Sequence, residues 1–453
     1  MLFTSLSFLF LFFPLVLIVY FSLYKFRKAQ NVFLFFASMV FYAWGEPKFS
    51  LILLLSIIIN WLTALLIDRF RKKKKALLAI SLVFNLGLLF VFKYLDFAIV
   101  QFNSVFKSDI GLSNIVLPIG ISFFTFQALS YVIDVYKGEA CQKNPLNVGL
   151  YISFFPQLIA GPIVRYGTIA DQISNRKESL EKFSSGAIRF MQGFSKKVLL
   201  ANTMAVIADK AFALDSAEIS ICFAWLGAFA YMMQIFFDFS GYSDMAIGLG
   251  KMFGFEFEEN FNHPYVSISI TEFWRRWHIS LSSWFRDYVY IPLGGNKCSK
   301  RRNMFNLFIV WALTGIWHGA NWTFILWGLL YFLILVFEKN TGVAEFNEKH
   351  RIIGHLYSLL IVCLLWVLFR AESISDAKNY VLSMFSGTFY SGMTYVYIRE
   401  NIFFIPAAIL FSTSIGGRIK RSWVTDILVF IVFVFSIVYV INGTYNPFIY
   451  FNF

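Results

Sequence analysis

FNLFIVWALTGIWHGANWTFILWGLLYFLILVFE, residues 305 to 338, carries one charged side chain, and that is its last residue. As one straight helix its thirty-four residues would run about 51 Å, well beyond a hydrocarbon core of about 30 Å. Two complete spans need about forty residues. A bent or hairpin element is therefore predicted, broken near Gly315 to Gly319. His318 lies on that break. It is about fifteen residues from Arg302 and Asn303, or roughly 22 Å along a helix, which predicts a place near mid-membrane. Polar groups at that depth are costly and tend to mark function.

The rest of the chain agrees with a bilayer setting. Of 453 residues, 58% are hydrophobic and 14% charged, against about 25% charged in ordinary soluble domains. Apolar runs recur from end to end, so the fold class is an all-α polytopic membrane protein, read as one membrane domain. The net charge of +13 does not point to nucleic acid, because the basic residues cluster beside apolar segments. Cys141, Cys222, Cys298 and Cys363 have no paired spacing and read as free thiols, neither disulfide nor metal site.

The apolar run from Leu2 to Tyr24 is too long for a signal peptide, and its basic residues follow it. Placing the basic loops at 25–28, 69–75 and 416–422 inside puts both termini outside. Residues 31–67 then go out and return about Glu46-Pro47-Lys48. Residues 147–164, with Pro156, Gly161 and Pro162, form a broken helix that must be buried in protein. Residues 172–189 read as a soluble amphipathic link. The segment 255–303 has no span of twenty apolar residues and reads as interfacial or re-entrant. Residues 353–370 cross outward, 371–401 lie outside, 402–415 return, and 424–442 form the last span.

Soluble-enzyme motifs are absent: no P-loop, no HExxH, no GxSxG, and no histidine pair at metal-binding spacing. In WRRWHISLSSWFRDY, helical spacing puts Arg275, His278 and Ser282 on one face, continued by Arg286 and Tyr290. That face is either an interfacial helix with snorkelling arginines or the polar wall of a tunnel. His318 is either a buried structural histidine or a neutral general base. Gly315 and Gly319 beside it permit close approach of a backbone or a substrate, and Asn321 and Trp322 add hydrogen-bonding capacity. FFDFSGYSD (236–244) places Asp238, Ser240, Ser243 and Asp244 at the end of an apolar run, as caps or as a polar lining. NFNHPY (260–265) reads as a turn with a structural His263. His350 and His355 read as surface loop.

Six blocks together resemble the membrane-bound O-acyltransferase family, its bacterial alginate and peptidoglycan O-acetyltransferase branch in particular. They are PIGISFFTFQALSYVIDVY (118–136), FFPQLIAGPIVRY (154–166), FFDFSGYSDMAIG (236–248), NFNHPY (260–265), FWRRWHISLSSWFRDYVYIPLGG (273–295) and LTGIWHGANWTFILWG (313–328). The resemblance implies about 11 to 13 transmembrane or re-entrant helices, ringed around a thinned centre with a cytoplasmic funnel and an outer cavity. It divides the chain into N-terminal helices (1–115), a catalytic core (116–340) and C-terminal helices (341–453). The family's active-site histidine falls on His318 and its second polar position on His278. Trp317, Asn321, Trp322, Asp238, Ser240, Ser282, Arg286 and Tyr290 would line the tunnel.

By the same resemblance the reaction is O-acetylation of an extracytoplasmic polysaccharide by a multi-pass protein of the bacterial inner membrane. Acetyl-CoA is the donor substrate, its phosphates drawn to Arg275, Arg276, Lys297, Lys300 and Arg301; no permanently bound cofactor and no metal is implied. A separate SGNH-type acetyltransferase outside the membrane would complete the transfer. Tyr450, in the tail FIYFNF, is either an acyl relay or an aromatic anchor. Two alternatives stand: a D-alanyl transferase for teichoic acid, and a non-catalytic transporter or polysaccharide-export channel. A transporter predicts paired ionisable residues within apolar segments, and none is evident in the sequence.

Overall fold

The computed structural model describes residues 1–415 and 421–443 of the chain. Among the described residues there is no strand. Six helices among the described residues are long and apolar enough to cross a bilayer: Ser50–Arg69, Arg71–Phe106, Ile221–Met252, Trp322–Thr341, Arg351–Arg370 and Trp423–Asn442. Gly392–Glu400 and Phe404–Ser412 form one more span only if a pair bent by 69° counts as one. The predicted return at 402–415 is thus a broken element. The chain is a multi-pass membrane protein.

The chain divides into two compact units, residues 1–187 with 245–258, and residues 188–244 with 259–453. In the first unit, helices Arg27–Gly45 and Ser50–Arg69 meet at Glu46-Pro47-Lys48, as the sequence predicts. Helix Ser50–Arg69 is joined to Arg71–Phe106 by a reciprocal amide pair. Asn60 Nδ2 donates to Asn85 Oδ1 at 3.1 Å, and Asn85 Nδ2 donates back to Asn60 Oδ1 at 2.8 Å. Such pairs hold helices together where lipid supplies no hydrophobic drive. The predicted break in 147–164 falls at Phe154, between helices Pro145–Ser153 and Phe155–Leu158, and residues 148–164 are all buried.

The predicted link 172–189 is more ordered than its polarity suggests. It closes helix Tyr166–Asn175 and opens helix Leu180–Ser195. Between them Arg176 is buried, its guanidinium 4.4 Å from the Phe255 ring and donating from Nη1 to Asn31 Oδ1 at 2.7 Å. A buried guanidinium needs such partners, and sequence alone does not display them.

In the second unit, 305–338 is a hairpin of two helices, Lys300–His318 and Trp322–Thr341. Each arm is about 28–30 Å long, because Lys300 to Met304 and Lys339 to Thr341 extend the apolar stretch. Gly315 is not part of the break. It lies inside the first arm where the arms touch: a Cβ there would stand 2.5 Å from the Phe324 carbonyl oxygen. Gly328 meets the Trp311 carbonyl oxygen in the same way. The break is Gly319 to Asn321. His355 is also not in a loop; it is half-buried in helix Arg351–Arg370, with Nδ1 3.3 Å from the Ser267 carbonyl oxygen.

Candidate active site

The segment carrying His278 is not one helix. Helix Ile270–Arg276 ends at an extended Trp277, and helix Ile279–Phe285 starts afresh. His278 lies between them with φ +44°, in the left-handed region that few side chains adopt. The turn at 260–262 clamps both sides. Asn262 N–H donates to the Arg276 carbonyl at 2.9 Å, and Ile279 N–H donates to the Asn260 carbonyl at 2.9 Å. The shared face expected of Arg275, His278, Ser282, Arg286 and Tyr290 therefore does not exist. Arg275 and Arg286 are exposed, and Arg286 pairs with Asp287 at 2.7 Å. Ser282 is half-buried. Tyr290 is bound into the following turn: its hydroxyl donates to Asn296 Oδ1 and accepts from Asn303 Nδ2, each at 2.6 Å.

What the break achieves is burial of His278 against the hairpin tip. Its ring stands edge-on to Phe239 at 4.6 Å between centroids, and 6.0 Å from Trp317. His318, the last residue of the first arm, also borders Trp317, at 5.1 Å between centroids. Trp327 and Phe369 enclose His318, each also at 5.1 Å. Two imidazoles forty residues apart in sequence thus border one indole, and both are at most 5% exposed. Two basic nitrogens enclosed by aromatic rings can accept and return a proton during attack by a hydroxyl.

A second polar layer supports His278. Asn260 Oδ1 faces His278 Nδ1 at 3.1 Å and accepts from Ser280 Oγ at 2.9 Å, while Asn260 Nδ2 donates to Ser243 Oγ at 3.0 Å. Sequence reading passes over Asn260 in favour of His263, three positions on in the same turn. His263 also takes a left-handed φ, +45°, and its pKa is lowered, first by burial and then by the cations Lys196 and Arg276.

Other expected residues are taken up by structure. Asn321 Oδ1 caps the second arm by accepting from Thr323 N–H at 3.1 Å, and its Nδ2 donates to the Glu372 carbonyl at 2.9 Å. Trp322 is 50% exposed. Arg276 is bound to Glu272 at 2.8 Å and to the Asn262 carbonyl at 3.1 Å, whereas Lys297 is exposed beside Lys300 and Arg301. Ser240 is buried. Asp238 is paired with Lys197 at 2.8 Å, both side chains at most 4% exposed. This corrects the expectation that apolar segments hold no ion pair. Lys197 stands beside Lys196 in an otherwise apolar run, and Lys196 reaches Asp244 at 2.6 Å. The partners are over forty residues apart, so their pairing is a tertiary fact. Tyr450 lies outside the described residues.

Residues 141–344 match the model of the membrane-bound O-acyltransferase family. The chain is 39% identical over 489 residues to the Pseudomonas putida protein named "Probable alginate O-acetylase AlgI", covering 100% of both chains. It is 45% identical to the Pseudomonas aeruginosa protein of that name, over 85% of this chain and 75% of the relative. It is 36% identical to the peptidoglycan O-acetyltransferase of Helicobacter pylori, over 85% of this chain and 80% of the relative. The chain belongs to the membrane-bound O-acyltransferase family. It is an acyltransferase enzyme embedded in a membrane.

Proposed function

We propose that this enzyme moves acetyl groups from acetyl-CoA on the cytoplasmic side of the bacterial inner membrane to a hydroxyl acceptor on the outer side, for O-acetylation of an extracytoplasmic polysaccharide. The names of its relatives supply the acetyl group and the polysaccharide class, alginate or peptidoglycan among them. The observation that carries the reading is that buried His318 and buried His278 both border the one buried indole of Trp317. His318 is the general base. It takes the acceptor hydroxyl proton as that oxygen attacks the thioester carbonyl. The C–S bond then breaks, and the proton passes from His318 to the thiolate, leaving an O-acetyl ester and CoA thiol. The aromatic shell around the rings excludes water that would hydrolyse the thioester.

The basic end of the hairpin, with Lys297, Lys300 and Arg301, faces the cytoplasm in this reading and attracts the donor phosphates; Arg275 adds to that field. The hairpin tip then lies toward the outer face, where a polysaccharide, the Tyr450 hydroxyl or a separate SGNH-type acetyltransferase completes the transfer. The test is transfer of labelled acetyl from acetyl-CoA by purified enzyme in nanodiscs. His318→Ala should fold as the parent does and transfer nothing; full transfer by that variant overturns the reading. A donor charged on a carrier-protein thioester, used in place of acetyl-CoA, would instead make it a D-alanyl-type transferase.

A further inference from the structure

The role of His278 depends on which of its nitrogens carries the proton, and Asn260 decides that. The Ser280 backbone N–H can only donate, and it points at one end of the Asn260 side-chain amide at 3.3 Å. That end must therefore be the carbonyl oxygen. The opposite end lies 3.0 Å from Ser243 Oγ, as fits the amide nitrogen. A flipped amide would set two donors face to face. The oxygen so fixed also faces His278 Nδ1 at 3.1 Å. Ser280 Oγ also lies 3.5 Å from that nitrogen but directs its one hydrogen to Asn260 Oδ1 at 2.9 Å; two oxygen neighbours without a hydrogen to give leave Nδ1 to hold it, so Nε2 carries the lone pair of the neutral ring. The same residue fixes the backbone, since the Asn260 carbonyl accepts from Ile279 N–H at 2.9 Å and holds His278 in its left-handed conformation.

The geometry points to Asn260 as a positioning residue that holds His278 in the Nδ1–H tautomer, so that His278 meets substrate as a hydrogen-bond acceptor and not as an oxyanion donor. The inference rests on the proposed site. A neutral ring of this tautomer has nothing to donate at Nε2 to a negative oxygen. It orients a donor group of the substrate, such as a neighbouring hydroxyl or an amide N–H of the thioester arm. That group is distinct from the hydroxyl proton removed by His318. Stabilisation of the tetrahedral oxyanion then falls to other groups. Ser243 extends the support one step, tying the Asn260 amide to helix Ile221–Met252.

The tautomer is read directly by solid-state nitrogen NMR of the full chain in lipid, labelled at histidine. A His278→Asn sample assigns the His278 signals by difference. The expected result is a protonated Nδ1 and an unprotonated Nε2; the opposite pattern overturns the inference. In Asn260→Leu that pattern should be lost, and in Asn260→Asp it should persist, because the carboxylate still accepts. An unchanged spectrum in Asn260→Leu also overturns it. In the acetyl-transfer assay, Asn260→Leu should lower kcat by about tenfold or more with KM for acetyl-CoA little changed, and Asn260→Asp should restore part of it. Parent enzyme that does not use acetyl-CoA would count against the proposed function, while the spectrum would still decide the tautomer.

Discussion

The Glu338 carboxylate, buried in the second arm of the hairpin, accepts from Thr271 twice: from its N–H at 2.9 Å and from its hydroxyl at 2.7 Å. It also accepts from Ile270 N–H at 2.7 Å. The base of the hairpin thereby holds the start of the short helix whose far end leads to His278, while the tip of the same hairpin carries His318. One element sets the position of both imidazoles.

Glu338→Ala should therefore damage stability and activity together. It strands the buried Ile270 and the half-buried Thr271 backbone donors, and hydrogen bonds to a charged acceptor contribute about 1.5–3 kcal/mol each. Thermal unfolding in detergent should fall by several degrees. Acetyl transfer should drop further than the unfolded fraction explains, because His278 loses its anchor. Glu338→Gln keeps one acceptor but turns an amide toward a backbone N–H, so it should fall between. Activity that tracks folded protein one for one would show that the anchor does not reach His278.

The close crossing of the hairpin arms makes a second prediction. In Gly315→Ala the new methyl would press on the Phe324 carbonyl oxygen, backbone that cannot swing aside. Overpacking of this kind costs about 1–3 kcal/mol. The arms should spread and the tip shift, lowering kcat. Gly328→Ala should do the same through Trp311, whereas Gly167→Ala, where a Cβ meets nothing within 4 Å, should leave both readouts near the parent values.

Much of this is legible in the sequence because lipid imposes simple rules. Length against bilayer thickness predicts that 305–338 is bent or a hairpin, and Pro47 between two apolar runs marks the turn at Glu46 to Lys48. Pro156 and Gly161 mark the buried break by residue type alone. The failures are of another kind. Helical periodicity places Arg275, His278 and Ser282 on one face, but the backbone hydrogen bonds of Asn260 and Asn262 end that helix at His278, and no periodicity reports a contact made from another segment. Asn321 reads as a tunnel-lining amide and is a helix cap, a role that its position just before the apolar run Trp322 to Phe337 could have suggested. Asn260 is visible in the sequence only as part of a block of six residues; its function follows from where Ser243, His278 and Ser280 meet it.

The first unit offers a pH-dependent test. Glu178 receives hydrogen bonds from Arg27 and Tyr20. Burial pushes its carboxyl pKa up, but those bonds outweigh it and the net pKa is lowered. A depressed carboxyl pKa stabilises the fold fully above the unfolded value of about 4.3. That contribution is lost as pH falls through the lower, folded value. Unfolding temperature should therefore decline below about pH 4.3 more steeply in the parent than in Glu178→Gln. The two should also differ least at the acid end. Curves that stay parallel throughout the acid range would mean the pair contributes no linked stability.

The buried Lys197–Asp238 pair allows architecture to be separated from chemistry. Lys197 Nζ lies 2.8 Å from Asp238 Oδ1 and also donates to Asn202 Oδ1 at 2.8 Å. Removing one partner of a buried pair leaves a charge in a low-dielectric interior and costs about 3–5 kcal/mol, whereas replacing both with apolar groups is often neutral. Lys197→Met and Asp238→Asn should each lower the unfolding temperature and the yield of folded protein. The double variant Lys197→Met with Asp238→Leu should recover most of that loss. Its acetyl transfer should recover with the folded protein, the outcome expected of a pair whose role is architectural. A double variant that folds like the parent yet transfers no acetyl would place the pair in the reaction path and return Asp238 to the tunnel lining expected from its motif.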